Sequence, residues 1–266
     1  MSFGLTTSFF RAFRAGQRPQ TISSASQLPN LEVWYDASVS AASTFNSGVI
    51  TSGTEVTSWH NGGGLSSHDW NSTGGKRPEW INNVQNGKGV VRFNASTDDA
   101  DTDEILSINP IAYLQSLAAC TMVIVFRTLS TSAGRRILTS SNTSGFQWGQ
   151  NGTQWVGTFA GGAYTVDNVT ADTNFHHIIT TFDGSKTGNS NRVKNRFDGS
   201  EATLTFSTNV NATTSPTASS FYGGVDAAGN TNYWNGDLGE LMIFTRALNS
   251  SEVLAIESYI SSKWAI

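Results

Sequence analysis

The chain is poor in the features that usually announce a function. It has one cysteine, five prolines and few charged side chains, which make up 14 % of its 266 residues. A single cysteine excludes an intramolecular disulfide, so any core must rest on buried apolar surface. Cys120 lies in the apolar run 120–126 and reads as a buried, inert thiol. Charge well below the roughly 25 % of an average soluble domain, with no long Ala/Glu/Lys/Leu runs, excludes a coiled coil and a helical bundle. No apolar stretch approaches the roughly 20 residues of a membrane-spanning helix. The net charge is −4, so no global positive field exists to hold a phosphate backbone, and nucleic acid does not fit as a partner.

What is abundant is glycine (26), serine, threonine and asparagine, together with 8 Trp and 15 Phe. That aromatic content carries enough apolar surface to offset ordering entropy, which argues against wholesale disorder. The length suits one large all-β sandwich or two ordinary domains.

Charge is unevenly placed. Arg11, Arg14 and Arg18 are the only charged side chains before Glu32, so the first 31 residues carry +3 and the remainder −7. Phe3, Leu5, Phe9, Phe10 and Phe13 sit among these arginines. A signal or transit peptide fits poorly, because the arginines follow the apolar cluster and no small-residue cleavage site is evident. The expectation is an anchoring arm over residues 1–30 that docks on a neighbouring subunit or other assembly protein through Phe3, Leu5, Phe9, Phe10, Arg11, Phe13 and Arg14, ahead of a body over 31–266.

From Leu31 onward the pattern is of short strands between Gly/Ser/Asn-rich turns. The candidates are 31–35, 55–59, 89–93, 121–128, 136–139, 145–149, 154–159, 175–182, 193–197, 202–206, 219–223 and 237–244. One helix is signalled near the end: Asn249 can cap, Glu252 stands at the third helical position, and Val253, Ile256, Ile260 and Trp264 recur at helical spacing with Lys263 in the last turn.

Three runs carry a family resemblance. Phe175-His176-His177-Ile178, then Phe182-Asp183-Gly184, then Arg196-Phe197-Asp198-Gly199 resembles the W-H-H-V-A, Y-D-G, Y-V-D-G series of laminin-G-like, concanavalin A-like jelly-roll domains. The run from Trp234 to Leu248 resembles the closing strand of the same domains before a short helix. Val56 to Trp59, Arg77-Pro78 and Val90 to Asn94 fit their first strands. The resemblance implies an all-β, concanavalin A-like jelly-roll β-sandwich with an N-terminal arm and one C-terminal helix. It also implies that the paired histidines are architectural. Alternation sends His176 and His177 to opposite faces, where they cannot share a metal ion without a bulge. Glu240 and Arg246 are expected to pair beside the closing strand.

Glycoside hydrolases on this fold carry nucleophile and acid on one face of a strand. The nearest pattern is Asp237-x-x-Glu240, whose spacing sends the two to opposite faces, and no G-x-S-x-G, P-loop or H-E-x-x-H is present. The expectation is a protein that is not an enzyme and requires no cofactor. The acidic run 98–104 offers Asp99, Asp101 and Asp103 as oxygen ligands for calcium, against a solvated acidic loop. Rings stack on sugar C–H faces while amides bond hydroxyls, so Trp148, Trp155, Tyr164, Tyr233, Trp234 and Asn235, near Gln147, Gln150, Asn151 and Asn232, are candidates for a neutral glycan, against an ordinary role in the core. Together these readings suggest a homo-oligomeric virion structural protein, a bacteriophage capsid decoration or fibre component at the virion surface. The alternatives are a bacterial cell-surface or secreted carbohydrate-binding module and a glycan-active hydrolase.

Overall fold

The computed structural model describes residues 21–41, 44–46, 48–63, 68–72, 77–94, 104–108, 112–131, 134–140, 145–217, 220–226 and 232–266. Within them the strands are β1 (Leu31–Asp36), β2 (Thr54–Glu55), β3 (Ser58–Trp59), β4 (Trp70–Ser72), β5 (Glu79–Gln85), β6 (Lys88–Asn94), β7 (Leu106–Ile108), β8 (Ala119–Thr128) and β9 (Arg135–Ser140). They continue with β10 (Phe146–Asn151), β11 (Gln154–Phe159), β12 (Gly162–Thr170), β13 (His176–Asp183), β14 (Val193–Phe197), β15 (Ser200–Glu201), β16 (Leu204–Phe206), β17 (Phe221–Gly223) and β18 (Asn235–Phe244). Helix α1 is Asn189–Arg192 and α2 is Ser250–Trp264.

Two antiparallel sheets form a sandwich. The back sheet runs β15-β14-β13-β8-β18-β6-β5-β2, with β1 also along β18; the front sheet runs β16-β12-β11-β10-β9-β17-β7-β4-β3. Between them lies the main core, in which Trp59, Trp70, Trp155, Trp234, Phe93, Phe126, Phe182 and Phe221 are fully buried. Cys120 is among its members, and burial pushes its thiol pKa well up, so it stays protonated and inert.

A second apolar layer covers the back sheet from outside, and it explains why β8 reads as an unbroken apolar run. Met122, Ile124 and Phe126 face the main core, while Val123 and Val125 face α2. Asn249 caps α2 by accepting from Ser251 N at 3.0 Å and Glu252 N at 3.1 Å, and Glu252 returns the bond to Asn249 N, as the sequence predicts. Val253, Ile256, Ile260 and Trp264 form its buried stripe.

The N-terminal boundary falls earlier than the sequence suggests. Ile22, Ala25 and Leu28 are buried in the layer beneath α2, the Pro29 carbonyl accepts from Arg246 Nε at 3.1 Å, and the Asn30 carbonyl accepts from Thr245 N at 3.1 Å. Residues 21–30 are therefore part of the body, because their apolar side chains complete the back-sheet cover. The anchor candidates Phe3, Leu5, Phe9, Phe10, Arg11, Phe13 and Arg14 lie outside the described residues.

Other differences have local causes. The expected strand 55–59 divides at Val56 and Thr57, leaving β2 in the back sheet and β3 in the front. Strand β12 is missed because Gly161, Gly162 and the polar run 165–170 mask its alternation, although Tyr164 and Val166 point inward. In β18 the register shifts between Leu238 and Glu240, so Asp237 and Glu240 both face outward from the back sheet, where the spacing alone would have opposed them.

Candidate functional site

Alternation along β10, β11 and β12 decides which side chains meet solvent. Phe146, Trp148 and Gln150, then Trp155 and Phe159, then Tyr164 and Val166 point inward and are buried; Gln147, Asn151, Val156, Thr158, Ala163 and Thr165 occupy the alternate positions. The pairings Gln147 with Thr158, Thr158 with Ala163, and Val156 with Thr165 set these outward residues side by side. Arg136 of β9 joins through its pairing with Gly149. A Cβ at Gly149 would lie 2.1 Å from the Arg135 carbonyl oxygen, so glycine lets β9 and β10 close at the register shift beside Arg136.

The result is an open groove of about 270 Å³ on the outer face of the front sheet, lined by Arg136, Gln147, Asn151, Val156, Thr158 and Thr165 with Tyr164 at its floor. The Arg136 guanidinium crosses it. With its amide oxygen toward that guanidinium, Gln147 accepts from Nη2 at 3.2 Å and from Nε. Nη1 reaches the Arg135 and Gln150 carbonyls at 3.3 and 3.4 Å. Burial lowers the Arg136 pKa, partly opposed by the charge of Asp226. Amides, hydroxyls, one guanidinium and an isolated valine make a surface that exchanges hydrogen bonds with a polyol; no carboxylate lines it among the described residues.

The aromatic candidates are buried. Trp148, Trp155, Tyr164, Tyr233 and Trp234 are at most 3 % exposed, so none presents a ring face to a ligand. Trp148 and Trp155 stack on each other at 5.9 Å. The Tyr164 ring fills the space left by Gly157, where a Cβ would lie 2.4 Å from it, and burial pushes its pKa up to about 12. Asn235 opens β18 opposite Asn94, with its carbonyl accepting from Leu129 N at 2.8 Å. Gln150 is buried and donates to the Ser130 carbonyl at 2.6 Å. Of the amides singled out with the rings, Gln147 and Asn151 reach the groove. The signal that could have separated them from Gln150 is the two-residue alternation itself, which sends Gln147 and Asn151 out and Gln150 in with Phe146 and Trp148.

Asp99, Asp101 and Asp103 lie outside the described residues. The paired histidines do diverge. His176 turns inward between Asp198 (2.7 Å) and Asp172 (2.9 Å) and contacts the Phe197 ring at 4.9 Å. Burial pulls its pKa down, but the bonds and charges of the two aspartates outweigh burial and hold it above 6.5. Its contribution to stability is thus complete below the unfolded value and is lost as pH rises through the higher folded value. His177 is buried on the other face and its pKa is lowered by burial, so its contribution is lost as pH falls below 6.5. The His176 contribution to the melting temperature should therefore fade as pH rises above 6.5, and His176→Asn should remove that decline, as a pH series of thermal melts will show; an unchanged decline in the variant would refute the assignment.

A second hollow, of about 470 Å³, lies on the back-sheet side among Ile22, Trp34, Asp36, Lys88, Tyr259 and Lys263. Three of its lining residues, Trp34, Tyr259 and Lys263, are bonded to Glu240. Glu240 Oε1 accepts from Trp34 Nε1 (2.6 Å) and Tyr259 OH (2.8 Å), and Oε2 from Trp264 Nε1 (2.9 Å) and Lys263 Nζ (3.1 Å). Lys263 Nζ also reaches Asp36 at 2.7 Å. Burial raises the Glu240 pKa, and Asp36 adds to the effect, yet with both oxygens doubly engaged the group has no lone pair left for proton transfer. Asp237 is similarly held by Arg92 (2.7 Å) and by Arg127. Arg246 pairs with Glu252 at 2.7 and 2.8 Å and not with Glu240, because α2 brings Glu252 to it. Glu240 fastens α2 to the back sheet, and Asp237 ties β18 to its neighbours β6 and β8 within that sheet.

Residues 99–254, more than half of the chain, match the laminin-G-type family described as the concanavalin A-like lectin/glucanases superfamily. The chain belongs to that superfamily. Among solved structures, the Trypanosoma rangeli sialidase in complex with 2,3-difluoro-KDN is similar with a TM-score of 0.51 and 15 % identity, over 88 % of this chain and 33 % of the sialidase. The chain thus spans about a third of that enzyme's length. The heptameric SAP-like pentraxin of Limulus polyphemus gives 0.46 at 12 % identity, over 62 % of this chain and 80 % of the pentraxin. The Ruminococcus gnavus IT-sialidase CBM40 bound to α2,3-sialyllactose gives 0.38 at 13 %, over 53 % and 83 %. No curated protein matches the sequence. The superfamily, by its own description, holds lectins and glucanases, so membership fixes the jelly roll and leaves the groove to decide between binding and cleavage.

Proposed function

We propose that this concanavalin A-like chain is a non-enzymatic glycan-binding module whose ligand lies in the front-sheet groove. The observation that carries the reading is the juxtaposition of Arg136, Gln147, Asn151, Thr158 and Thr165 on an open sheet face with no carboxylate among the described lining residues. Most retaining and inverting glycosidases place two carboxyl groups about the scissile bond, and no such pair stands among the described lining residues. In this reading a larger assembly, such as a virion, displays the module. The chain enters the body through Ile22 and Leu28 on the back-sheet side, so attachment through the preceding segment would leave the front sheet facing outward.

A glycan array probed with the wild type and with the Gln147→Ala/Asn151→Ala variant tests the site. Each hydrogen bond lost contributes about 0.5–1.5 kcal/mol, so the pair should weaken retention by roughly tenfold at an unchanged melting temperature. Equal retention by the variant, or release of reducing sugar from a retained glycan, would contradict the reading.

A further inference from the structure

Among the described arginines, Arg136 and Arg192 are bonded to neutral acceptors, Arg192 to the Lys186 and Val210 carbonyls and Arg136 within the groove. Arg77, Arg92, Arg127, Arg196 and Arg246 each reach a carboxylate at ion-pairing distance. Arg136 instead meets only neutral acceptors: the Gln147 amide oxygen and the carbonyls of Arg135 and Gln150. Asp226 is the acid whose charge acts on it, yet it makes no ion pair with Arg136, lies outside the groove lining, and accepts from Asn232 Nδ2 at 3.4 Å. Half-burying a cation whose hydrogen-bond partners are all neutral is costly, and here the cost falls on the one charged side chain among the described residues that line the groove. The bonds to Gln147 and to two carbonyls also fix the plane of the guanidinium, which lowers the entropy cost of engaging a planar anion.

We propose that the groove takes a carboxylate-bearing saccharide, with Arg136 as the specificity-determining residue that binds the sugar carboxylate while Asn151, Thr158 and Thr165 bond its hydroxyls. The proposal rests on the glycan-binding reading above and changes the ligand class from the neutral glycan that the sequence suggests. Gln147 serves as positioning residue for the guanidinium. The guanidinium N–H left over by the bonds to Gln147 and the two carbonyls can donate to a carboxylate in a charge-assisted hydrogen bond, which a neutral sugar cannot accept in charged form. No bond is made or broken in this step.

The test titrates the full chain with a glucuronate-terminated disaccharide and with the otherwise identical glucose-terminated disaccharide, at low and at high salt. The wild type should bind the glucuronate compound at least about tenfold more tightly, and the preference should shrink as salt rises. Arg136→Ala should abolish the preference, weakening the glucuronate compound at least about tenfold more than the glucose-terminated one, while Arg136→Lys, which keeps the charge without the fork, should retain only part of the preference. If Arg136→Ala fails to fold, Arg136→Gln is read in its place. Equal binding of both compounds by the wild type, or an equal loss of both in the variant, overturns this inference and leaves the glycan-binding reading standing. Binding of neither compound by a protein that also retains nothing on the array overturns both.

Discussion

Replacing Lys263 with alanine is expected to destabilise the protein by about 3–5 kcal/mol, the usual cost of removing one partner of a buried ion pair. The side chain is 14 % exposed and bridges Asp36 at 2.7 Å and the fully buried Glu240 at 3.1 Å. Without it two carboxylates paired across β1 and β18 face each other with no cation between them. Burial and Asp36 already raise the Glu240 pKa, and a raised carboxylate pKa contributes stability at low pH that is lost as pH rises through it. Acidification should therefore restore part of the loss in Lys263→Ala, and adding Glu240→Gln should restore more at neutral pH. Urea titrations at two pH values check both statements. A variant that unfolds at the wild-type midpoint would show that the cluster does not fasten α2 to the back sheet.

Deleting residues 1–30 is expected to cost about 3–6 kcal/mol, because Ile22 and Leu28 each contribute roughly 1.5–3 kcal/mol when buried. The loss includes the Pro29 and Asn30 carbonyl bonds to Arg246 and Thr245, and it opens the apolar layer beneath α2 to solvent. Deleting residues 1–20 removes none of these contacts. The shorter truncation should melt with the full chain, while the longer one should melt earlier and aggregate. Identical melting of both truncations would place the start of the body at residue 31 after all.

The closing strand and its helix were legible in the sequence because local and long-range signals agree there. Asn249 and Glu252 form a capping box that needs nothing beyond four consecutive residues, and the stripe Val253, Ile256, Ile260 and Trp264 fits one helical face. The His176-His177 strand was legible through the Phe175-His176-His177-Ile178 run that carries the family resemblance, and both of its faces are covered, with Ile178 and Phe182 in the main core and Ile179 in the layer that includes α2. Composition misled the search for a site. Tryptophan beside glutamine and asparagine looks like a sugar platform in one dimension, but Trp148 and Gln147 stand on opposite faces of one strand, and the amide faces the groove. Arg136 gave no signal at all. Its place in the groove comes from the pairing of β9 with β10 and the register shift at Gly149, which spacing does not reveal. The outward turn of both Asp237 and Glu240 was equally hidden, since a one-residue shift at Gly239 cannot be read from spacing.

The central claim is that ligand binding occurs on the outer face of the front sheet. Amide resonances of the ¹⁵N-labelled chain, followed while the most strongly retained array saccharide is added, test it most directly. Shifts confined to Arg136, Gln147, Asn151, Val156, Thr158 and Thr165 are the predicted result; shifts centred on Trp34, Lys88, Tyr259 and Lys263, the back-sheet hollow, would contradict it.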